Sequence, residues 1–217
     1  MLVFLPGQGE IRRTAEMLDG KLPANCQVAP LYGGLDAKAQ DAAIRPADAG
    51  SRKIVLASAI AQTSLTIEGV RVVIDSGLAR VPKYEPHTGL TRLETVRVSR
   101  ASADQRRGRA GRTEPGVCYR LWDEAQTVAL PQAEAPEILE ADLTGLVLDL
   151  AAWGTLDPAA LAFADQPPIA AWSEAKVLLQ DLHALDDHGR LTNDGKALAT
   201  LPLHPRLAHM VMEGVAR

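Results

Sequence analysis

Only two cysteines stand in 217 residues, Cys26 and Cys118, and no CxxC or Cys/His spacing accompanies them. That spacing offers no support for a metal site, and both thiols are expected to be reduced, as in a cytoplasmic protein. No apolar run approaches the roughly 20 residues a membrane-spanning helix needs, so no membrane partner is expected. Met1–Pro6 lacks the basic stretch and long apolar run of a secretory leader. A GxxxxGK[ST] loop is missing as well, so nothing in this sequence can cradle the α- and β-phosphates of a nucleotide. What remains is ordinary: 47% hydrophobic and 23% charged residues, the balance of a globular chain able to bury one good-sized core or two small ones.

The formal net charge of −4 hides an asymmetry. Between Arg80 and Arg112 nine Arg/Lys face three acids, a local net of +6. From Pro131 to Arg217 five bases face thirteen acids, a local net of −8. A polyanion would meet the first region and be repelled by much of the second. Charge clusters are usually plain solvated surface, and charge alone favours that reading here.

Short apolar runs alternate with helix-like stretches over the first 130 residues. Leu2–Leu5, Gln27–Leu31, Lys53–Ser58 and Val70–Asp75 read as strands, with helices over Glu10–Leu18 and near Asp36–Ile44. Continuous Val/Ile/Leu runs of this kind predict an α/β fold, a mainly parallel sheet with helices on both faces. Ligands of such sheets gather at the carboxyl ends of the strands, here the turns after Leu5, Leu31, Ser58 and Asp75. Tyr84–Ser99, with the turn signal Glu85–Gly89, predicts a β-hairpin. Ala103–Gly111 reads as a helix and Gly116–Trp122 as a last strand. Pro131–Pro136 reads as a linker. Beyond it, helices over Ile138–Trp153, Trp172–Leu185 and Asp194–Leu201, with a turn and short strand at His188–Thr192, suggest a small, mostly α winged-helix unit. Trp153, Trp172 and Phe163 are expected in its core, and His183, His188, His204 and His209 show no ligand-like grouping.

Two segments could carry chemistry. In Gln105–Arg112 (QRRGRAGR), a continuous helix would put Gln105, Arg109 and Arg112 at i, i+4 and i+7 on one face. Gly108 and Gly111 each cost a helix roughly 1 kcal/mol relative to Ala, while guanidinium forks suit phosphate oxygens. Spacing alone leaves two readings: a phosphate clamp, or a basic helix solvated or paired with the acidic second domain. The second segment, Ala57–Gly69, places hydroxyls at 58, 63, 64 and 66 after the third strand. Donors to phosphate or ribose and ordinary turn residues both remain open there.

Taken together, LVFLPGQGEI (2–11), PLYGGL (30–35), residues 57–69, VIDSGLAR (73–80) and QRRGRAGR (105–112) resemble motifs IV, IVa, V and VI of DEAH-box helicases, in order and at matching distances. The bacterial HrpB-type branch is the most similar. The resemblance runs on through Tyr84–Val98, similar to the family's hairpin, and Glu137–Leu203, similar to its winged-helix domain. It implies a second RecA-like lobe over 1–130, with a hairpin near 84–99. A winged helix over 131–203 and the start of a helical, ratchet-like domain over 204–217 would follow. It also implies an ATP-dependent RNA helicase, using ATP or another NTP with Mg2+ held mainly by an absent first lobe of the same polypeptide. Arg109 and Arg112 then match arginine fingers and Gln105 a residue that positions the attacking water. Ser64, Thr66, Glu68 and Arg112 match nucleotide-cleft positions. Gly7, Tyr32, Gly33, Gly34 and Ser58, with Lys83, fall on the nucleic-acid side. RNA, or DNA, would be held through its phosphate backbone.

The sequence departs from the pattern at three places. Many relatives have Asn at Ala59, Glu at Gln62 and Ala at Arg107; the first removes an amide near the RNA backbone, and Arg107 falls off the finger face. No DExH stretch is present to hold magnesium, since Asp123–Gln126 lacks the His. On its own the chain is therefore expected not to hydrolyse ATP. The rival readings are a non-catalytic RecA-like scaffold or regulatory module, and the same lobe of a DNA motor.

Overall fold

The computed structural model describes residues 1–63, 65, 67–112, 114–155 and 157–215. The chain forms two compact units, Met1–Val81 with Leu93–Glu134, and Pro82–Arg92 with Ala135–Arg217.

In chain order the first half runs β1 (Leu2–Phe4), α1 (Gln8–Leu18), β2 (Cys26–Leu31), α2 (Ala37–Ile44), β3 (Arg52–Ala57) and β4 (Val72–Asp75). A hairpin of β5 (Leu78–Glu85) and β6 (Leu90–Arg97), α3 (Arg100–Arg107), β7 (Val117–Arg120) and α4 (Glu124–Val128) follow. Five strands form one sheet in the order β2-β3-β1-β4-β7, with every pairing parallel. The apolar runs explain this: Leu2, Phe4, Val55, Ala57 and Val73 are buried between the helical layers, as strands covered on both faces require. Burying Phe4 alone contributes about 1.5–3 kcal/mol. Asp36 caps α2 by accepting from the Ala39 amide at 2.8 Å, and Ser99 caps α3 by accepting from Ser102 N at 3.0 Å.

Two elements differ from expectation in this half. The hairpin opens at Leu78 rather than Tyr84, because a two-stranded ribbon has open edges that tolerate Pro82. Its tip groups with the second unit. Most consequentially, the 103–111 helix is not continuous: α3 starts at Ser99's cap and ends at Arg107, and Gly108–Gly111 form a 3-10 turn.

The second unit is helical: α5 (Thr144–Trp153), α6 (Ile169–Asp181), α7 (Asn193–Ala199) and α8 (Pro205–Val215). Leu143, Val147, Leu150, Trp172, Leu179 and Leu198 form its core. The helix expected from Ile138 begins only at Thr144, whose amide and hydroxyl both donate to Asp142 Oδ1. The expected wing shrinks to one bridge between Leu185 and Leu191, since the Asp186 carboxylate takes the His188 and Arg190 amides that a strand would have used. Trp172 is buried and Phe163 packs against the core, but Trp153 is 76% exposed. It occupies the last turn of α5, which the left-handed Gly154 (φ +91°) terminates. Among the described residues no helix is long and apolar enough to cross a membrane.

Candidate functional site

Parallel topology decides where each candidate residue lies. Every crossover leaves the carboxyl edge of the sheet and returns to its amino edge. Turns directly after strands therefore lie on one edge, and residues directly before strands on the other.

Gly7, Tyr32, Gly33, Gly34 and Ser58 follow β1, β2 and β3 and share the carboxyl edge. Gln8 Nε2 donates to Tyr32 Oη at 3.3 Å, and Ser58 N donates to Leu31 O at 3.0 Å, tying neighbouring turns together. Arg80 lies across Gly7, where a Cβ would stand 3.0 Å from the Arg80 Cδ, and its Nη2 pairs with Glu10 Oε1 at 3.2 Å. A side chain at position 7 would have to push the Arg80 guanidinium aside. Arg80 was not singled out from the sequence, where it counts as one base among nine. Lys83 stands apart from this group. It belongs to the second unit, where it lines a cavity with Tyr84, His87, Asp142, Glu174 and Arg206.

The opposite edge receives the ends of two crossovers. Glu68 precedes β4 and lines a cavity with Arg45, Arg52, Lys53 and Arg71 beside the starts of β2, β3 and β4. Gly108–Glu114 precede β7; Val117 N donates to Arg71 O at 2.8 Å and Glu114 pairs with Arg71. The turn packs so closely that a Cβ on Gly116 would fall 1.6 Å from Ala110 O. Ser64 and Thr66 lie outside the described residues. Glu68 and the residues leading into β7 lie toward the amino edge, because the chain must return there to enter a parallel strand.

The shared face of Gln105, Arg109 and Arg112 is corrected. With the helix ending at Arg107, Ser102, Ala103 and Arg106 point inward, followed by Arg109 and Ala110, while Gln105 and Arg112 are exposed. Arg109 Nε and Nη2 both donate to the Gln62 carbonyl, and Nη1 donates to Leu65 O at 2.8 Å. A guanidinium has five N–H groups, so among the described residues two are left to donate elsewhere. Burial first, and then the positive charge of Arg112, lower the Arg109 pKa from its ordinary value. The group stays protonated, so two cations stand near each other with donor capacity to spare. An anion is the ligand that suits such a place.

Arg106, which carried no assigned role, is fully buried together with its partner Asp75. Its Nη1 lies 2.8 Å from Asp75 Oδ1, and its guanidinium carbon sits 4.9 Å from the centre of the Phe4 ring. Nη1 also donates to Leu78 O and Nε to Gln62 Oε1. Among the described residues no group of three His, Cys, Asp or Glu side chains could hold a metal ion. Arg109 and Arg112, two neighbouring cations, have the chemistry to meet a phosphate group.

Residues 1–114 match the helicase conserved C-terminal domain, and residues 177–203 the winged-helix helicase associated domain (HA2). The ATP-dependent RNA helicase HrpB of Escherichia coli K12 is 48% identical over 212 residues, covering 98% of this chain and 26% of that protein. A probable ATP-dependent RNA helicase of mouse, DHX34, is 40% identical over 216 residues, covering 99% of this chain and 19% of that protein. The crystal structure of the Escherichia coli DEAH/RHA helicase HrpB superposes with a TM-score of 0.90 at 48% identity, over 97% of this chain and 27% of that one. The chain spans about a quarter or less of the length of the curated relatives it matches.

Proposed function

Because the chain belongs to the helicase conserved C-terminal domain family, in its DEAH-box, HrpB-type branch, we propose that it is the second motor lobe of an ATP-dependent RNA helicase. Arg109 and Arg112 are its arginine fingers, and Gln105 positions the attacking water. ATP with Mg2+, held mainly by a first lobe of the same polypeptide, supplies the phosphoryl group to be transferred. This chain supplies charge and orientation. The Gln62 and Leu65 carbonyls hold the Arg109 guanidinium, whose two remaining N–H groups donate to phosphate oxygens as negative charge spreads over them. Glu68 lines the nucleotide cleft. Gly7, Tyr32–Gly34 and Ser58 form part of the RNA track on the opposite edge, where backbone and short side chains approach phosphates closely.

The observation that carries this reading is the state of Arg109: fixed by backbone carbonyls on one side, unspent on the other, with Arg112 beside it. Without a P-loop or DExH stretch the chain alone is inactive. The test is NTP hydrolysis by the complete polypeptide with single-stranded RNA, with DNA of the same sequence, and with no nucleic acid. RNA stimulation that Arg112→Ala abolishes supports the proposal. Hydrolysis indifferent to both RNA and Arg112→Ala contradicts it.

A further inference from the structure

Ser102 stands between two polar partners. Its hydroxyl donates to Glu134 Oε1 and accepts from Gln62 Nε2, with a separation of 2.5 Å. Chemistry fixes which way the Gln62 amide points. Its Oε1 accepts from Arg106 Nε at 3.1 Å, and a guanidinium can only donate. The amide nitrogen therefore faces Ser102, and it also donates to Gln105 Oε1 at 3.0 Å. Arg106 donates onward to Asp75 at 2.8 Å. A hydroxyl carries one proton, so the sequence Glu134, Ser102, Gln62, Arg106, Asp75 has a single allowed polarity.

The backbone carbonyl of the same Gln62 is what Arg109 Nε and Nη2 donate to. We propose that Gln62 is the positioning residue for the Arg109 finger, its side chain locked by this network, in which Arg106 donates both to Asp75 and to Gln62, and its carbonyl holding the guanidinium. The claim rests on the reading of Arg109 given above. Gln62 reaches no reacting atom itself; it acts through Arg109.

The relay explains why this chain takes an amide at 62. A carboxylate there would keep the bond from Arg106 but turn a second acceptor toward Ser102. One proton cannot serve two carboxylates, and their like charges repel. Combining Gln62→Glu with Glu134→Gln reverses the relay at unchanged net charge. Arg106 and Ser102 then both donate to the carboxylate at 62, and the amide at 134 must turn so that its nitrogen donates to Ser102 Oγ while its oxygen keeps the Ser99 N–H, which in the wild type shares Glu134 Oε1 with Ser102. The exposed Gln105 turns its own amide to donate.

The experiment compares wild type, Gln62→Glu, Glu134→Gln and the double variant in the complete polypeptide. It reads RNA-stimulated kcat and KM, and the carboxyl titration of residue 134 by NMR. The expected result is that Gln62→Glu lowers kcat about tenfold with little change in KM and raises the titration point of Glu134. The double variant returns kcat toward wild type. An unchanged kcat in Gln62→Glu, or a double variant no better than that single one, overturns the proposal. If Gln62→Glu misfolds, recovery of folding and turnover in the double variant supports the relay, and failure to recover refutes it. If wild type shows no RNA-stimulated hydrolysis, the functional reading itself fails. The relay is then judged by the Glu134 titration alone, and an unmoved titration point overturns it.

Discussion

Arg106 and Asp75 form an ion pair 2.8 Å apart with both side chains at most 1% exposed. The pair joins α3 to the end of β4 beneath the carboxyl-edge turns. Among the described residues Asp75 Oδ2 and Arg106 Nη2 have no hydrogen-bond partner, so the pair compensates its own charge but not all of its polar atoms. Removing one partner leaves a buried, unpaired charge. Arg106→Ala or Asp75→Ala should each destabilise the fold by about 3–5 kcal/mol, and the double variant by less than the sum of the two. Denaturant unfolding of the single and double variants measures this coupling.

Arg109 differs from Arg106 in having donors left over. Arg109→Lys keeps the charge but cannot donate to Gln62 O and Leu65 O while presenting a planar fork. It should therefore behave much as Arg109→Ala does, with kcat reduced by about 10³-fold or more. KM should move far less, because the lost interaction is made in the transition state. Steady-state kinetics of the two variants side by side makes the comparison.

The mismatch between expected and observed arginine roles has a physical origin. The parallel sheet was readable because runs such as KIVLA and VVID have no polar face to turn outward. The helix through Gln105–Arg112 was readable only in part. Its phase holds as far as Arg107, and two glycines then tighten the backbone into a 3-10 turn that rotates Arg109 inward. Nothing local marks Arg106 as buried, because what permits its burial is Asp75, 31 residues earlier. The edge assignments needed the strand order: only once β4 and β7 are seen to be parallel neighbours must the residues leading into β7 lie toward the amino edge. Trp153 was misplaced for a simpler reason, since hydrophobicity cannot tell the end of an amphipathic helix from its middle.

Asp142 links pH to the stability of the second unit. Burial raises its pKa, but donation from the Thr144 hydroxyl and amide, and from His204 at 2.8 Å, outweighs burial and holds it below the ordinary aspartate value. A folded pKa below the unfolded one contributes stability that is present above the unfolded value and lost as pH falls through the folded value. Stability of this unit should decline progressively below about pH 4. Asp142→Asn should flatten that decline while lowering stability near neutrality. Denaturant midpoints followed by Trp172 fluorescence across acidic pH record both effects.

Arg80, resting on Gly7 at the carboxyl edge, tests the RNA track. If the track passes there, Arg80→Ala weakens RNA binding uniformly across sequences. It also reduces the slope of log affinity against log salt by about 0.7, the value for one phosphate contact on a single strand. Fluorescence anisotropy over a salt series gives the slope, and an unchanged slope would place the track elsewhere.

The central claim is that this chain holds half of an active site, with Arg109 completing a nucleotide held mainly by another lobe. The most direct measurement is RNA-stimulated NTP hydrolysis by residues 1–217 alone and by the complete polypeptide, each with and without Arg109→Ala. No turnover from residues 1–217, with turnover by the complete polypeptide that Arg109→Ala abolishes, is the predicted result. Turnover by residues 1–217 alone that disappears with Arg109→Ala would contradict the claim.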